Sequence, residues 1–130
     1  MSLKKINTPH APAAIGPYSQ AVEANGFLFV SGQLPLDPTS GQVVQGGIRE
    51  QASQVLLNLT AILDARNLGV ADVVRCDIFI KNMGDFPMLN EVYGSIFNCP
   101  VQPARQTVEV SRLPKDVLVE ISCIAACKKA

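Results

Sequence analysis

Charge is scarce in this chain and evenly split. Charged residues make up 17% of the 130 positions, and eleven Lys and Arg balance eleven Asp and Glu. Globular chains usually carry about 25%. Disorder is excluded, because it needs high charge and low hydrophobicity, and here hydrophobic residues reach 48%. The same shortage of charge leaves more apolar surface than one copy hides, so an oligomer is expected. No basic stripe is present to hold phosphates. Lys4-Lys5 and Lys128-Lys129 stand at the two ends and read as solvated tails. Interleaved aromatics for base stacking are also missing. His10 is the sole histidine, so RNA cleavage by a histidine pair has no residues to use, and it reads as an ordinary surface side chain. No apolar run approaches the roughly 18 residues of a membrane span. Met1–Ile6 lacks the apolar core of a secretory leader. No membrane partner is therefore expected, and the expected location is the cytosol, with an organelle left open. The four cysteines form no C-x-x-C pair, so neither a zinc site nor a structural disulfide is expected. Cys76 and Cys123 fall on alternating apolar positions and read as buried small hydrophobes.

What is present reads as one domain over residues 1–130, since two would leave each half too small for a core. Residues 1–16, rich in Pro and Ala, read as an extended arm. Residues 17–31 read as a hairpin around Asn25-Gly26, with Phe27 to Ser31 as its second strand. Residues 32–47 hold Gly32, Gly41, Gly46 and Gly47 and read as a loop, with a short strand near Val43-Val44. Ile48, Ala52, Val55, Leu56, Leu59, Ile62 and Leu63 make one apolar stripe and predict a helix over 48–67, stopped by Gly69. Leu57 lies off that stripe. Asn58-Leu59-Thr60 is a glycosylation sequon in form only, because it falls in mid-helix. Val73 to Ile80 reads as a strand, with Val74, Cys76, Ile78 and Ile80 on one side. A second helix follows, with Asp85 as N-cap, Pro87 in its first turn, and Phe86, Leu89, Tyr93, Ile96 and Phe97 as its apolar face. Asn90 lies at the edge of that face. Two strands, near 105–111 and 117–126, flank a turn at Leu113-Pro114-Lys115-Asp116. The order β-β-α-β-α-β-β is an α+β pattern with two helices on one face of a sheet, and the other face must meet water or a partner.

Periodicity also suggests a register for the last two strands. They read as an antiparallel hairpin, and their apolar sets coincide when Val108 lies opposite Val119 and Val110 opposite Val117. Thr107 then lies opposite Glu120 and Arg105 opposite Ser122. A slip of one residue would turn Glu120 to the apolar side. Arg105 and Glu120 thus become close neighbours on one face. The simple reading is a surface ion pair, worth about 0–1 kcal/mol. The functional reading is an anion site, in which Arg105 holds a carboxylate bidentately and Glu120 handles protons or positions a water.

Several motifs carry a family resemblance. Pro103-Ala104-Arg105, Val108-Glu109-Val110, Leu113-Pro114 and Val119-Glu120-Ile121 resemble the C-terminal signature of the RidA family of reactive imine and enamine deaminases. Ala14-Ile15-Gly16-Pro17-Tyr18-Ser19-Gln20 resembles its N-terminal motif, Ser31-Gly32-Gln33 followed by Pro35 its second, and Asn90-Glu91-Val92-Tyr93 its helix motif. The match spans nearly the whole chain. It implies a chorismate-mutase-like fold and a homotrimer, with three sheets forming a central barrel, helices outside and active sites in clefts between subunits. It implies hydrolysis of 2-imino and 2-enamino acids to 2-oxo acids and ammonia, with no metal or cofactor. Carried onto this chain, Arg105 clamps the substrate carboxylate, Glu120 holds the attacking water or shuttles protons, and the backbone around Thr107 helps place that water. Tyr18, Ser31, Gly32 and Asn90 line the pocket, some from the neighbouring subunit.

Each of these residues also has a plainer reading: Tyr18 as an interface aromatic, Ser31-Gly32 as a strand end, Asn90 as a bridge between backbone groups. Many family members have Ser-Cys after the arginine, where Gln106 and Thr107 stand here. Thr107 preserves a backbone role and not a thiol role. The segment between Tyr93 and Arg105 is shorter than is usual in the family. Two other functions remain open: a non-catalytic trimer that binds 2-oxo acids, and the ribonuclease or translation-inhibitor activity attached to the family by name.

Overall fold

The longest apolar stripe becomes the helix that organises the rest. In the computed structural model, which describes residues 2–127, α1 spans Ile48–Ala65 and buries all seven stripe positions. Leu57, off the stripe, is 58% exposed. The Gly47 N–H donates to Glu50 Oε1 at 2.8 Å, one half of a capping box. The stop is Asn67 rather than Gly69. Asn67 takes a φ of 60°, and the Asn67 and Leu68 N–H groups return to Asp64 O and Leu63 O, each at 2.9 Å. That closure ends a helix as well with asparagine as with glycine. The sequon residue Asn58 is 1% exposed, and its Nδ2 donates to Leu34 O and Leu36 O at 3.0 Å. Its amide ties the 32–47 loop to α1, and a sugar has no access to it. Within that loop the expected strand is a single bridge, Leu36 to Val43. The second helix, α2, spans Phe86–Ile96 with Asp85 at the N-cap position and Pro87 in its first turn.

Among the described residues six strands form one sheet: β1 Lys4–Ile6, β2 Ala21–Ala24, β3 Phe27–Gln33, β4 Val73–Ile80, β5 Ala104–Glu109 and β6 Val119–Ala126. Their spatial order is β1-β2-β3-β6-β4-β5. All pairs are antiparallel except β4–β5, so the sheet is mixed. The Asn25-Gly26 turn has φ values of 51° and 79°, the two positive angles of a type I′ hairpin. The arm at 1–16 contributes a strand that periodicity did not mark: Lys4 and Lys5 pair with Glu23 and Val22, exposed on an edge strand rather than in a tail. Lys128-Lys129 lies outside the described residues.

One polar residue secures that arm. Gln20 is 2% exposed; its Nε2 donates to Thr8 O, Ala11 O and Pro12 O, and its Oε1 accepts the Thr8 N–H at 2.8 Å. Gln20→Ala is expected to lower stability by about 2–4 kcal/mol, because it orphans several buried backbone groups. Urea unfolding checks this.

Two expectations fail in the sheet. Val73, not Val74, is buried, because the ladder to β6 shifts register between Val73 and Arg75. The final pair, moreover, is not a hairpin. β4 lies between β5 and β6, bonding to β5 in parallel and to β6 antiparallel. Periodicity tells which face a residue takes and not which strand lies beside it. A buried strand such as β4 uses both of its edges, and it separates the two strands expected to touch.

Both helices cover the face carrying Leu28, Val30, Cys76, Ile78, Ile80, Val119, Ile121, Cys123 and Ala125, all buried. The other face is open. It presents Phe27, Phe29 and Val108, exposed by 41%, 45% and 39%. Among the described residues no helix is long and apolar enough to cross a membrane.

Candidate functional site

Register decides which side each candidate faces. Cys76 of β4 sits between Arg105 of β5 and Cys123 of β6, so Arg105 lies on the helix face. Phe79 sits between Val108 and Glu120, so Glu120 lies on the open face. Arg105 and Glu120 are therefore on opposite faces of one sheet, and the same-face pairing expected from the sequence is corrected. Its premise was that Val108 faces the core. Instead β5, at the sheet edge, turns Arg105 and Thr107 toward α2 and Val108 outward.

On the helix face the Arg105 guanidinium rests over two rings of α2. Its Cζ lies 4.8 Å from the Tyr93 ring centre and 5.6 Å from that of Phe86. Arg105 lines an open cavity of about 330 Å³ with Asn90, Tyr93, Gln102 and Pro103. Three polar atoms nearby are buried without a hydrogen-bond partner among the described residues: Asn90 Oδ1, Tyr93 Oη and Thr107 Oγ1. Such atoms cost free energy unless something meets them. The Cys76 thiol approaches Tyr93 Oη without good hydrogen-bond geometry. Burial pushes the Tyr93 phenol and the Cys123 thiol well above their ordinary pKa values, and raises that of the Cys76 thiol. All three stay protonated at neutral pH and offer no nucleophile.

On the open face Glu120 is half-buried, with no hydrogen bond or ion pair among the described residues. Burial raises its carboxyl pKa above the usual range. Its Oε2 lies where a Cβ on residue 32 would stand, so any larger residue at 32 would displace the Glu120 carboxylate. Gly32 belongs to an irregular step of β3 between Val30 and Gln33. The neighbouring Ser31 hydroxyl donates to Ser19 O at 2.6 Å, tying β3 to the Tyr18 segment. Tyr18 is 54% exposed and shares a cavity of about 290 Å³ with Gly32, Gln33 and Lys115.

The candidates thus form two groups: Arg105, Thr107 and Asn90 on the helix face, and Ser31, Gly32 and Glu120 at the β3–β6 step, with Tyr18 sharing a cavity with Gly32. Sequence reasoning placed Phe86 and Tyr93 in the core and missed their contact with Arg105. The signal available was their spacing with Asn90, at positions 86, 90 and 93 of one helix face. Among the described residues no three His, Cys, Asp or Glu side chains cluster as a metal site would require.

Two helices on one face of a mixed six-stranded sheet, with polar clusters at β5 and at the β3–β6 step, define an α+β protein of the chorismate-mutase-like class. The family described as endoribonuclease L-PSP matches residues 8–127, and the chain belongs to that family, the RidA family of the sequence resemblance. A RutC family protein of Pyrococcus horikoshii is 52% identical over 92% of this chain and 94% of its own length. A 2-iminobutanoate/2-iminopropanoate deaminase of Dermatophagoides farinae is 44% identical over 95% of this chain and 97% of its own. The solved structure of YyfA from Yersinia pestis, a protein of the conserved Rid family, superposes with a TM-score of 0.94 at 44% identity, covering 96% of this chain and 99% of that one.

Proposed function

We propose that this protein hydrolyses 2-imino and 2-enamino acids to 2-oxo acids and ammonia, at sites that facing subunits of a homotrimer build together. The observation that carries the reading is Arg105, a guanidinium with no carboxylate partner among the described residues, lining a cavity beside buried polar atoms that lack partners. A short acid supplies what is missing: a carboxylate for the guanidinium fork, and N–H or water donors for Asn90 Oδ1 and Thr107 Oγ1.

The chemistry asks little of the protein. An imine carbon is already electrophilic, so positioning and proton transfer suffice. Glu120 takes a proton from water as the oxygen bonds to the C=N carbon. Glu120 returns that proton to the nitrogen to give a neutral adduct. The adduct's hydroxyl proton then passes through Glu120 to the same nitrogen as the C–N bond breaks, so that C=O forms and ammonia leaves. An enamine enters the same route once its β-carbon is protonated.

Assembly is needed because one chain holds Arg105 and Glu120 on opposite faces. The exposed Phe27, Phe29 and Val108 on the open face, and the unpaired edge of β5, supply the surface for it. Phe29→Asp is expected to shift the protein from trimer toward monomer in sedimentation and to lower activity in parallel.

The function is tested with imines made in situ by an amino-acid oxidase. Added protein is expected to speed ammonia release. An unchanged rate, with pyruvate binding detected by calorimetry, would leave a 2-oxo acid binder in place of an enzyme. Ribonuclease chemistry has little to use, since His10 lies in an open groove against α1 with Gln54 and Asp64, apart from both polar clusters.

A further inference from the structure

The chain has five arginines, and among the described residues four of them pair with a carboxylate: Arg49 with Glu91, Arg66 with Glu23, Arg75 with Asp77 and Arg112 with Asp116. Arg105 has no such partner and has aromatic faces instead, Tyr93 at 4.8 Å and Phe86 at 5.6 Å. The difference has a chemical consequence. A carboxylate partner would occupy the N–H fork and cancel the charge. An aromatic face attracts the cation through its quadrupole and uses none of the five N–H donors.

We infer that Tyr93 and Phe86 are positioning residues, which hold the Arg105 guanidinium against α2 so that its N–H edge stays free and fully charged for a ligand carboxylate. This rests on the reading that Arg105 receives that carboxylate. The platform is firm. Tyr93 is 6% exposed and stacks on Phe97 at 4.4 Å between centroids and 16° between planes, and Phe97 is 1% exposed. The Tyr93 hydroxyl meets no hydrogen-bond partner among the described residues. Its ring, then, and not its oxygen, is what serves Arg105. Phe86 and Tyr93 are seven residues apart and so share one side of α2.

The test measures pyruvate affinity by calorimetry, and KM and kcat for the imine, in the assembled protein. Tyr93→Leu is expected to weaken binding about five- to thirty-fold, and Phe86→Leu about two- to five-fold. KM rises in step while kcat stays within about two-fold, because the lost contact holds ground state and transition state alike. Tyr93→Phe keeps affinity within about two-fold, since the ring face remains. Phe86 is only partly buried, so Phe86→Leu carries the test if Tyr93→Leu fails to fold. Wild-type affinity in the foldable leucine variants, beside lost binding in Arg105→Ala, overturns the platform and leaves the carboxylate reading standing. A Tyr93→Phe loss as large as that of Tyr93→Leu, or of Phe86→Leu where Tyr93→Leu does not fold, overturns it too, by giving the hydroxyl the role. Wild-type affinity in Arg105→Ala overturns the carboxylate reading itself.

Discussion

Arg105→Ala is expected to lower kcat/KM for the imine about a hundred- to a thousand-fold while the fold survives. Among the described residues the guanidinium is the only charged group lining its cavity. Removing one member of a desolvated, bidentate charge pair costs about 2–5 kcal/mol. Among the described residues Arg105 makes no ion pair, so unfolding should change little. Arg105→Lys should recover only part of the loss, because an ammonium cannot present the planar fork. Steady-state ammonia release and a thermal melt check both halves. Activity close to wild type in Arg105→Ala would remove the basis of the proposed reaction.

Glu120→Gln should cost about a hundred- to ten-thousand-fold in kcat, the usual worth of a positioned base. The substitution keeps shape and removes proton transfer. Burial raises the Glu120 pKa. A base acts when deprotonated, so kcat/KM in the wild type should rise with pH along a limb above the ordinary glutamate range. Glu120→Gln should flatten that limb, and a limb unchanged in the variant would assign it to another group. Gly32→Ala reaches the same carboxylate by steric means, since its Cβ must push Glu120 Oε2 aside. Mixing the two inactive proteins separates a shared site from a single-chain one. If Arg105 comes from one subunit and Glu120 from the next, refolding Arg105→Ala together with Glu120→Gln restores intact sites in mixed trimers, and activity returns. No recovery would place both residues in a single-subunit site.

Much of the fold was legible because single elements announce themselves. The α1 stripe, the Asn25-Gly26 turn and the β4 run each follow from local spacing, and each is found. The Arg105 and Glu120 motifs were legible as motifs. Their relation was not: the expected hairpin put them side by side, and β4 holds them apart. The β1 strand escaped because three residues, paired only at a sheet edge, carry no periodicity. Gln20, read as part of a motif, is committed to the arm of its own chain through hydrogen bonds that no spacing reveals.

By itself the sequence determined which segments are helix and strand, which face of each is apolar, and that charge is too scarce for phosphate binding. Tertiary structure alone decided strand neighbours, the inverted polarity of β5 and the aromatic rest beneath Arg105. The reason is physical: hydrophobic period is a local property of a few consecutive residues, whereas the partner of a strand edge is chosen by hydrogen bonds between segments far apart in the chain.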